Sequence, residues 1–191
     1  RPLHHAACAR IRIRVTPRSP PMATPREAIL SLGSNLGDRR IALERACAAL
    51  EEEPGLRILE RSPIYETEPV GVPEEEAGRL FLNQVVIVST DRSPEALSDT
   101  VHAIEARWGR TRTGVHGAAR VLDIDLIAFG TERRNTPELT LPHPRTRERR
   151  FVLQPLADLR PNLVLPGESR SVAELLRDLP DTPRVRRIQQ A

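Results

Sequence analysis

Arg110-Thr-Arg-Thr-Gly-Val-His-Gly-Ala-Ala-Arg-Val-Leu-Asp-Ile-Asp-Leu-Ile-Ala-Phe-Gly130 places two carboxylates directly behind a loop carrying three arginines. Leu122, Ile124 and Leu126 alternate with Asp123 and Asp125, the two-residue period of a half-buried strand. Both carboxylates therefore leave one face, with Cα atoms about 6–7 Å apart. Aspartate is a poor strand former, and the bare pair would repel by ~2 kcal/mol at an effective dielectric of about 20. A hard cation would reverse that penalty, and oxygen ligands suit magnesium. Arg110, Arg112 and Arg120 precede the pair on a glycine-containing loop. Carboxylates that hold metal beside arginines that hold anions outline a metal–polyphosphate site. The same letters also read as a solvated strand face next to a basic loop.

Composition narrows the field. A chain of 191 residues, 39% hydrophobic, is expected to form one domain with a core of its own. Cys8 and Cys47 make no disulfide framework, and Cys47 falls on a helical apolar face. No apolar run approaches a membrane span, so a cytoplasmic protein with no membrane partner is expected; a monomer with no nucleic-acid partner is expected as well. The pI near 9.6 is misleading in this respect. All 29 basic residues are arginine, and five of them (Arg1, Arg10, Arg12, Arg14, Arg18) precede Arg26 while no acid does. That leaves 24 arginines against 26 acids from Arg26 onward, not the balance of a nucleic-acid binder. The absence of lysine removes a P-loop, a kinase strand lysine and a Schiff base. Residues 1–25, rich in Arg and Pro, read as a disordered leader or linker, with Met22 a candidate start and residues 26–191 the functional domain.

Along the chain, Ala28 to Gly33 reads as a strand, and Gly33 to Asp38 as a turn rich in capping residues. A helix to about Glu53 follows, turning Ile41, Leu43, Ala46, Cys47 and Leu50 inward before Pro54-Gly55 stops it. Leu56–Tyr65 reads as one strand, residues 66–80 as a long loop and Phe81–Thr90 as a strand interrupted by Asn83. Ser93 and Pro94 open a second helix with Leu97, Val101, Ile104 and Trp108 on its apolar stripe. His102 and Glu105, three apart, share another face, where a solvated pair is the simplest reading. Thr131–Thr140 reads as a hairpin excursion. The arginine-rich, proline-pinned Leu141–Arg150 reads as an ordered anion-binding loop, leading into a structured segment at Phe151–Ala157. Val172–Leu179 is a last short helix, and the tail ends near Val185 to Ile188. The order strand–helix–strand–strand–helix–strand matches the α+β, ferredoxin-like (split βαβ) plan. It implies an antiparallel sheet with helices packed on one face, a free face for ligands, and mobile loops at 66–80 and 107–119.

Ser31-Leu-Gly-Ser-Asn-Leu-Gly-Asp38, Tyr65-Glu-Thr-Glu-Pro-Val-Gly71, Phe81-Leu-Asn83, Arg120-Val-Leu-Asp-Ile-Asp125 and Leu141-Pro-His-Pro-Arg145 with Arg149 and Phe151 together resemble the 2-amino-4-hydroxy-6-hydroxymethyldihydropteridine pyrophosphokinase family of the folate pathway. The likeness runs from about Ala28 to Pro166 with five motifs in family order. It implies a ferredoxin-like fold. It also implies transfer of pyrophosphate from ATP to the hydroxymethyl group of 6-hydroxymethyl-7,8-dihydropterin, with release of AMP and the help of two magnesium ions. Carried over by position, Asp123 and Asp125 bind the metals and, with Arg110 and Arg112, carry catalysis. Thr67, Pro69, Val70, Phe81, Asn83 and Phe151 form the pterin pocket, Phe151 stacking on the ring and Asn83 reading its amide edge. His102, Glu105, Arg110, Arg112, Arg120, Thr140, His143 and Arg149 line the ATP side. Many members carry Trp-Gly-Pro-Arg where this chain has Gly117-Ala-Ala-Arg120, so a tryptophan that packs over the site is missing.

The residues suit such chemistry without the family name. Phosphoryl-type transfer asks for alignment and charge neutralisation rather than a protein nucleophile, and no nucleophile stands out. The loops at 66–80 and 107–119 are natural lids. A ferredoxin-like sheet with paired aspartates also resembles nucleotidyl transferases and cyclases, so another two-metal nucleotidyl or phosphoryl transferase is the alternative. An RNA-binding module would need exposed aromatics on the central strands, which Val85-Val-Ile-Val88 does not supply.

Overall fold

A computed structural model describes residues 24–70, 78–108 and 121–189. Its frame is an antiparallel sheet in which β1 (Arg26–Ser34) lies between β5 (Asp123–Phe129) and β4 (Phe81–Thr90). The outer edge of β4 is shared. Its Val86–Thr90 half pairs with β2 (Leu56–Arg61) and its Phe81–Asn83 half with β3 (Tyr65–Thr67). The single strand expected over Leu56–Tyr65 is therefore two. Pro63 has no N–H to give a ladder, and at the break Ser62 pairs with Val85 instead, its Oγ accepting the Val85 N–H at 3.0 Å. The chain then returns at its far end: β8 (Val185–Arg187) pairs with β3 and closes that edge. β6 (Arg134–Asn135) and β7 (Thr140–Leu141) form the expected hairpin.

Alternation along the strands sends side chains to two faces, and both are used. Toward one face go Ala28, Leu30, Leu32, Val86, Val88, Ile124 and Leu126, packed under α1 (Arg39–Glu52) and α2 (Pro94–Arg107). Asp38 caps α1 by accepting from the Ile41 N–H, and Ser93 caps α2 with Pro94 in its first turn. In α1 the buried stripe is Ala42, Leu43, Ala46, Cys47 and Leu50. Ile41, expected inside, is exposed because Ala42 holds the core-facing phase of the first turn. Cys47 is core, and burial pushes its thiol pKa up. Trp108 ends α2, packed against the core with the Arg45 guanidinium 5.4 Å from its ring.

The opposite face is not left free, as a one-sided arrangement would require. Ile29, Val85, Ile87, Ile127 and Ala128 are covered by α3 (Arg150–Leu159) and α4 (Val172–Arg177) through Val152, Leu153, Leu156, Val172 and Leu175. The segment Phe151–Ala157 is thus a helix in spite of Pro155. With that face apolar over half its length, the sheet needs a second cover. α3 also reaches β3, where its Asp158 accepts from the Tyr65 hydroxyl, and Ser31, Asn83 and Asp125 continue the same face beyond Ile29, Val85 and Ile127.

Candidate active site

Register builds this end of the sheet. Asp123 on β5 stands opposite Gly33 on β1, Gly33 opposite Asn83 on β4, and Asn83 opposite Tyr65 on β3. Directly paired residues share a face, so one row crosses four strands. The neighbouring rows add Asp125 beside Ser31, and Phe81 beside Thr67. Gly33 is needed for space: a Cβ there would lie 3.0 Å from Asn83 Oδ1. The Asn83 amide therefore lies over β1, and its Nδ2 donates to Thr67 Oγ1 at 2.6 Å. Asn83 and Thr67 are both buried, while Phe81 is half-buried at the rim. Asn83 is thus a held, inward group and not a polar strand-edge residue. The base of this side is pinned by the Tyr65 hydroxyl, which donates to Asp158 Oδ2 of α3 at 2.7 Å. Burial first, and the Asp158 carboxylate second, push the Tyr65 pKa up to about 12.

The carboxylate side is built around β5, an edge strand whose outward groups are satisfied from outside the sheet. The Ile124 N–H, between the two aspartates, donates to Glu105 Oε1 at 2.7 Å. The Ile127 carbonyl accepts from the His143 N–H at 2.8 Å. Glu105 is only 1% exposed and His102 is exposed, so the pair expected on one solvated face is split between core and solvent. Glu105 leans toward β5 because a buried edge N–H demands an acceptor. Asp125 Oδ2 is bonded to Arg149 Nη1 at 2.7 Å. The same guanidinium lies 5.5 Å from the centroid of the half-buried Phe151 ring.

His143 is held in the turn that precedes α3. Its Nδ1 accepts from the Arg145 N–H at 3.2 Å, and its carbonyl accepts from the Thr146 hydroxyl at 2.7 Å. Burial lowers the His143 pKa; Asp125 opposes that, and Arg149 and Arg145 reinforce it. Its burial and the two guanidinium groups thus favour the neutral imidazole.

Two groups of sequence-selected residues are therefore brought together: Thr67, Phe81 and Asn83 toward β3, and Asp123, Asp125, Glu105, His143, Arg149 and Phe151 around β5. Pro69 is half-buried just past β3, Val70 is exposed, and Thr140 sits on β7 opposite Asn135. Thr140 and His143 also line a cavity of about 350 Å³ with Arg147, Leu165 and Glu168, a cavity the aspartates do not reach. Arg110, Arg112 and Arg120 lie outside the described residues, as do 71–77 and 109–119 of the two expected lids. Residues 1–23 also lie outside them, so the reading of 1–25 as a leader or linker has no structural counterpart here. Sequence reading missed the roles of Gly33 and Ser31 on the site face, and of Glu66, which joins Arg39 and Arg186 at the mouth of the 66–80 segment. Only the register places Gly33 against Asn83.

The donor set fits a hard cation. Two half-buried carboxylates two residues apart share a face, and a guanidinium already supplies positive charge to one of them. Among the described residues no group of three His, Cys, Asp or Glu gathers as a metal cage. Magnesium commonly takes one or two carboxylates and completes its shell with phosphate oxygens and water. No helix among the described residues is long and apolar enough to cross a membrane.

Residues 29–161 match the model of a family described as 7,8-dihydro-6-hydroxymethylpterin-pyrophosphokinase. The chain is 41% identical over 142 residues to the 2-amino-4-hydroxy-6-hydroxymethyldihydropteridine pyrophosphokinase of Methylorubrum extorquens, covering 74% of this chain and 87% of that one. It is 40% identical over 132 residues to the protein of the same name in Bacillus subtilis, covering 69% and 77%. The fold is similar to that of wild-type Plasmodium falciparum HPPK-DHPS with pteroate, at a TM-score of 0.61 and 16% identity. That likeness covers 81% of this chain and 42% of the longer one.

Proposed function

Because the chain belongs to the 7,8-dihydro-6-hydroxymethylpterin-pyrophosphokinase family, we propose that the open end of its sheet transfers pyrophosphate from ATP to the hydroxymethyl group of 6-hydroxymethyl-7,8-dihydropterin. The hydroxymethyl oxygen bonds to the β-phosphorus and loses its proton, the bond between that phosphorus and the α-phosphate bridging oxygen breaks, and AMP leaves. The observation that carries the reading is the row Asp123–Gly33–Asn83. It puts the strand of the two aspartates and the strand of Asn83 two strand spacings apart, about 10 Å, which supports a cation on the first and an amide-reading group on the second. A pterin ring held over β4 and β3 can thus meet a triphosphate held along β5.

Each side chain then has a task set by its surroundings. Asn83, oriented by Thr67, meets the polar edge of the pterin, and Phe81 and Phe151 supply its aromatic walls, with Pro69 and Val70 at the margin. Arg149 and His143 face the phosphates from the turn before α3, with Arg110, Arg112 and Arg120 as further phosphate-binding forks. Thr140 and His102 border the nucleotide, and Glu105 holds β5 in place from α2. Asp123 and Asp125 would hold two magnesium ions, which would neutralise phosphate charge when bound. The strand order β5-β1-β4-β2, all antiparallel, supports the ferredoxin-like plan we assign, with α3 and α4 added over half of its second face.

The test is to incubate the protein with ATP, magnesium and 6-hydroxymethyl-7,8-dihydropterin and separate the nucleotides. AMP formed in proportion to pterin supports the reading. ADP, or free pyrophosphate with a nucleotidylated acceptor, would replace it with another phosphoryl or nucleotidyl transferase.

A further inference from the structure

We propose that Arg149 is the resident counter-ion of the carboxylate pair, and that it must change partner before a divalent cation can settle on Asp125. The inference rests on the metal–nucleotide reading above and concerns this chain's own residues. The Arg149–Asp125 bond is 2.7 Å long, and the two side chains are 16% and 33% exposed. At that burial the pair is less screened than a surface ion pair. A guanidinium at hydrogen-bond distance and a metal ion on the same oxygen would place two cations within a few ångströms, so occupancy by one opposes the other.

The backbone around Arg149 is tied down. Its N–H donates to the Thr146 carbonyl at 3.2 Å, and its own carbonyl accepts from the Val152 and Leu153 N–H groups at 3.0 Å each. A change of partner is therefore a side-chain movement. The guanidinium already lies near the Phe151 ring, a face that attracts cations, so leaving Asp125 does not strand it. Phosphate oxygens offer an arginine a bidentate fork. An arriving triphosphate would draw Arg149 from Asp125 and free the carboxylate in the same motion. A metal ion arriving alone competes with an internal cation, and one arriving with nucleotide does not. The two ligands then bind with positive coupling, and reciprocity makes each help the other.

The experiment is a manganese titration at fixed ionic strength, without nucleotide, reading free Mn²⁺ by electron paramagnetic resonance. It compares the wild type, Arg149→Gln, Asp125→Asn and the double variant, each checked for an intact melting curve. Glutamine keeps a hydrogen-bond donor and removes only the charge. Arg149→Gln should bind Mn²⁺ at least about fivefold more tightly than the wild type, the lower end of typical coupling between sites, and the gain should vanish in the Asp125→Asn background. Asp125-dependent binding that is unchanged or weaker in Arg149→Gln would overturn the exchange and leave the metal reading standing. A gain that survives Asp125→Asn would overturn it too, as a general effect of the arginine's field. If no variant binds Mn²⁺ in the absence of nucleotide, relief of the Arg149 charge does not open Asp125 to the cation and the exchange is overturned, while the metal–nucleotide reading stands or falls on the AMP assay above.

Discussion

Ile29 on β1, Val85 on β4 and Ile127 on β5 are covered by α3 and α4, whereas two residues further along the same strands, on the same face, stand Ser31, Asn83 and Asp125. One step of the pleat turns an apolar floor into a polar one on all three strands. A sheet face can thus be divided by register alone, into an apolar half packed under helices and a polar half whose side chains face one another. The difference predicts that the covered end contributes stability and the open end contributes chemistry, and substitutions can separate the two.

Asp123→Asn or Asp125→Asn should have the largest effect. Each removes a hard oxygen ligand while leaving the buried side of β5 unchanged, so turnover should fall by at least roughly a thousandfold, about 4 kcal/mol of transition-state stabilisation. Thermal unfolding of Asp123→Asn should stay level or shift slightly upward, since one of two like charges is gone. Near-wild-type turnover in either variant would erase the distinction between the ends. Arg110→Ala and Arg112→Ala come next. They should lower kcat more than they weaken ATP binding, with at least one costing about 3–5 kcal/mol in single-turnover assays, in the range of a supplied arginine finger. Loss of nucleotide affinity with the chemical rate intact would make that loop a docking surface only.

At the covered end the readout reverses. Ile87→Ala empties a site that is 1% exposed and should cost roughly 2–5 kcal/mol of unfolding free energy in a denaturant titration. Its kcat, measured well below the melting temperature, should remain near the wild-type value. Returning to the open end, Asn83→Ala leaves the pterin edge and Thr67 without a partner, and pterin affinity should drop by roughly 1–3 kcal/mol in a fluorescence titration. The smallest effect is expected at Gly33→Ala. Its methyl would press on Asn83 Oδ1, raising the pterin KM several-fold through displacement of the amide, at about 1 kcal/mol. An unchanged KM would mean that the Asn83–Gly33 approach does not position the ring.

Much of this division was legible in the sequence. The alternation around Asp123 and Asp125 fixed a strand with both carboxylates on one side, and Asn83 stood out as polar in an apolar run. Ser93-Pro94 marked a helix start that the structure keeps. What stayed hidden depends on long-range register. Gly33 reads as a turn residue until β1 is laid against β4, and Glu105 reads as solvated until α2 is laid against the edge of β5. Of the second helical layer, α4 was legible at Val172–Leu179, whereas α3 was obscured because Pro155 argues locally against a helix that the apolar face of Ile29, Val85 and Ile127 requires. β8 was obscured because three residues rich in arginine carry no strand pattern of their own.

The central claim is that the open end brings a pterin hydroxymethyl group to the β-phosphorus of ATP. It is tested most directly by following the β-phosphate. With ATP labelled at that position, magnesium and 6-hydroxymethyl-7,8-dihydropterin, the label should appear in the pterin product as AMP accumulates. It should stay in ATP when Asp125→Asn, folded and melting cooperatively, replaces the wild type. Label recovered in ADP or in free pyrophosphate, or transferred equally well by Asp125→Asn, would contradict the account.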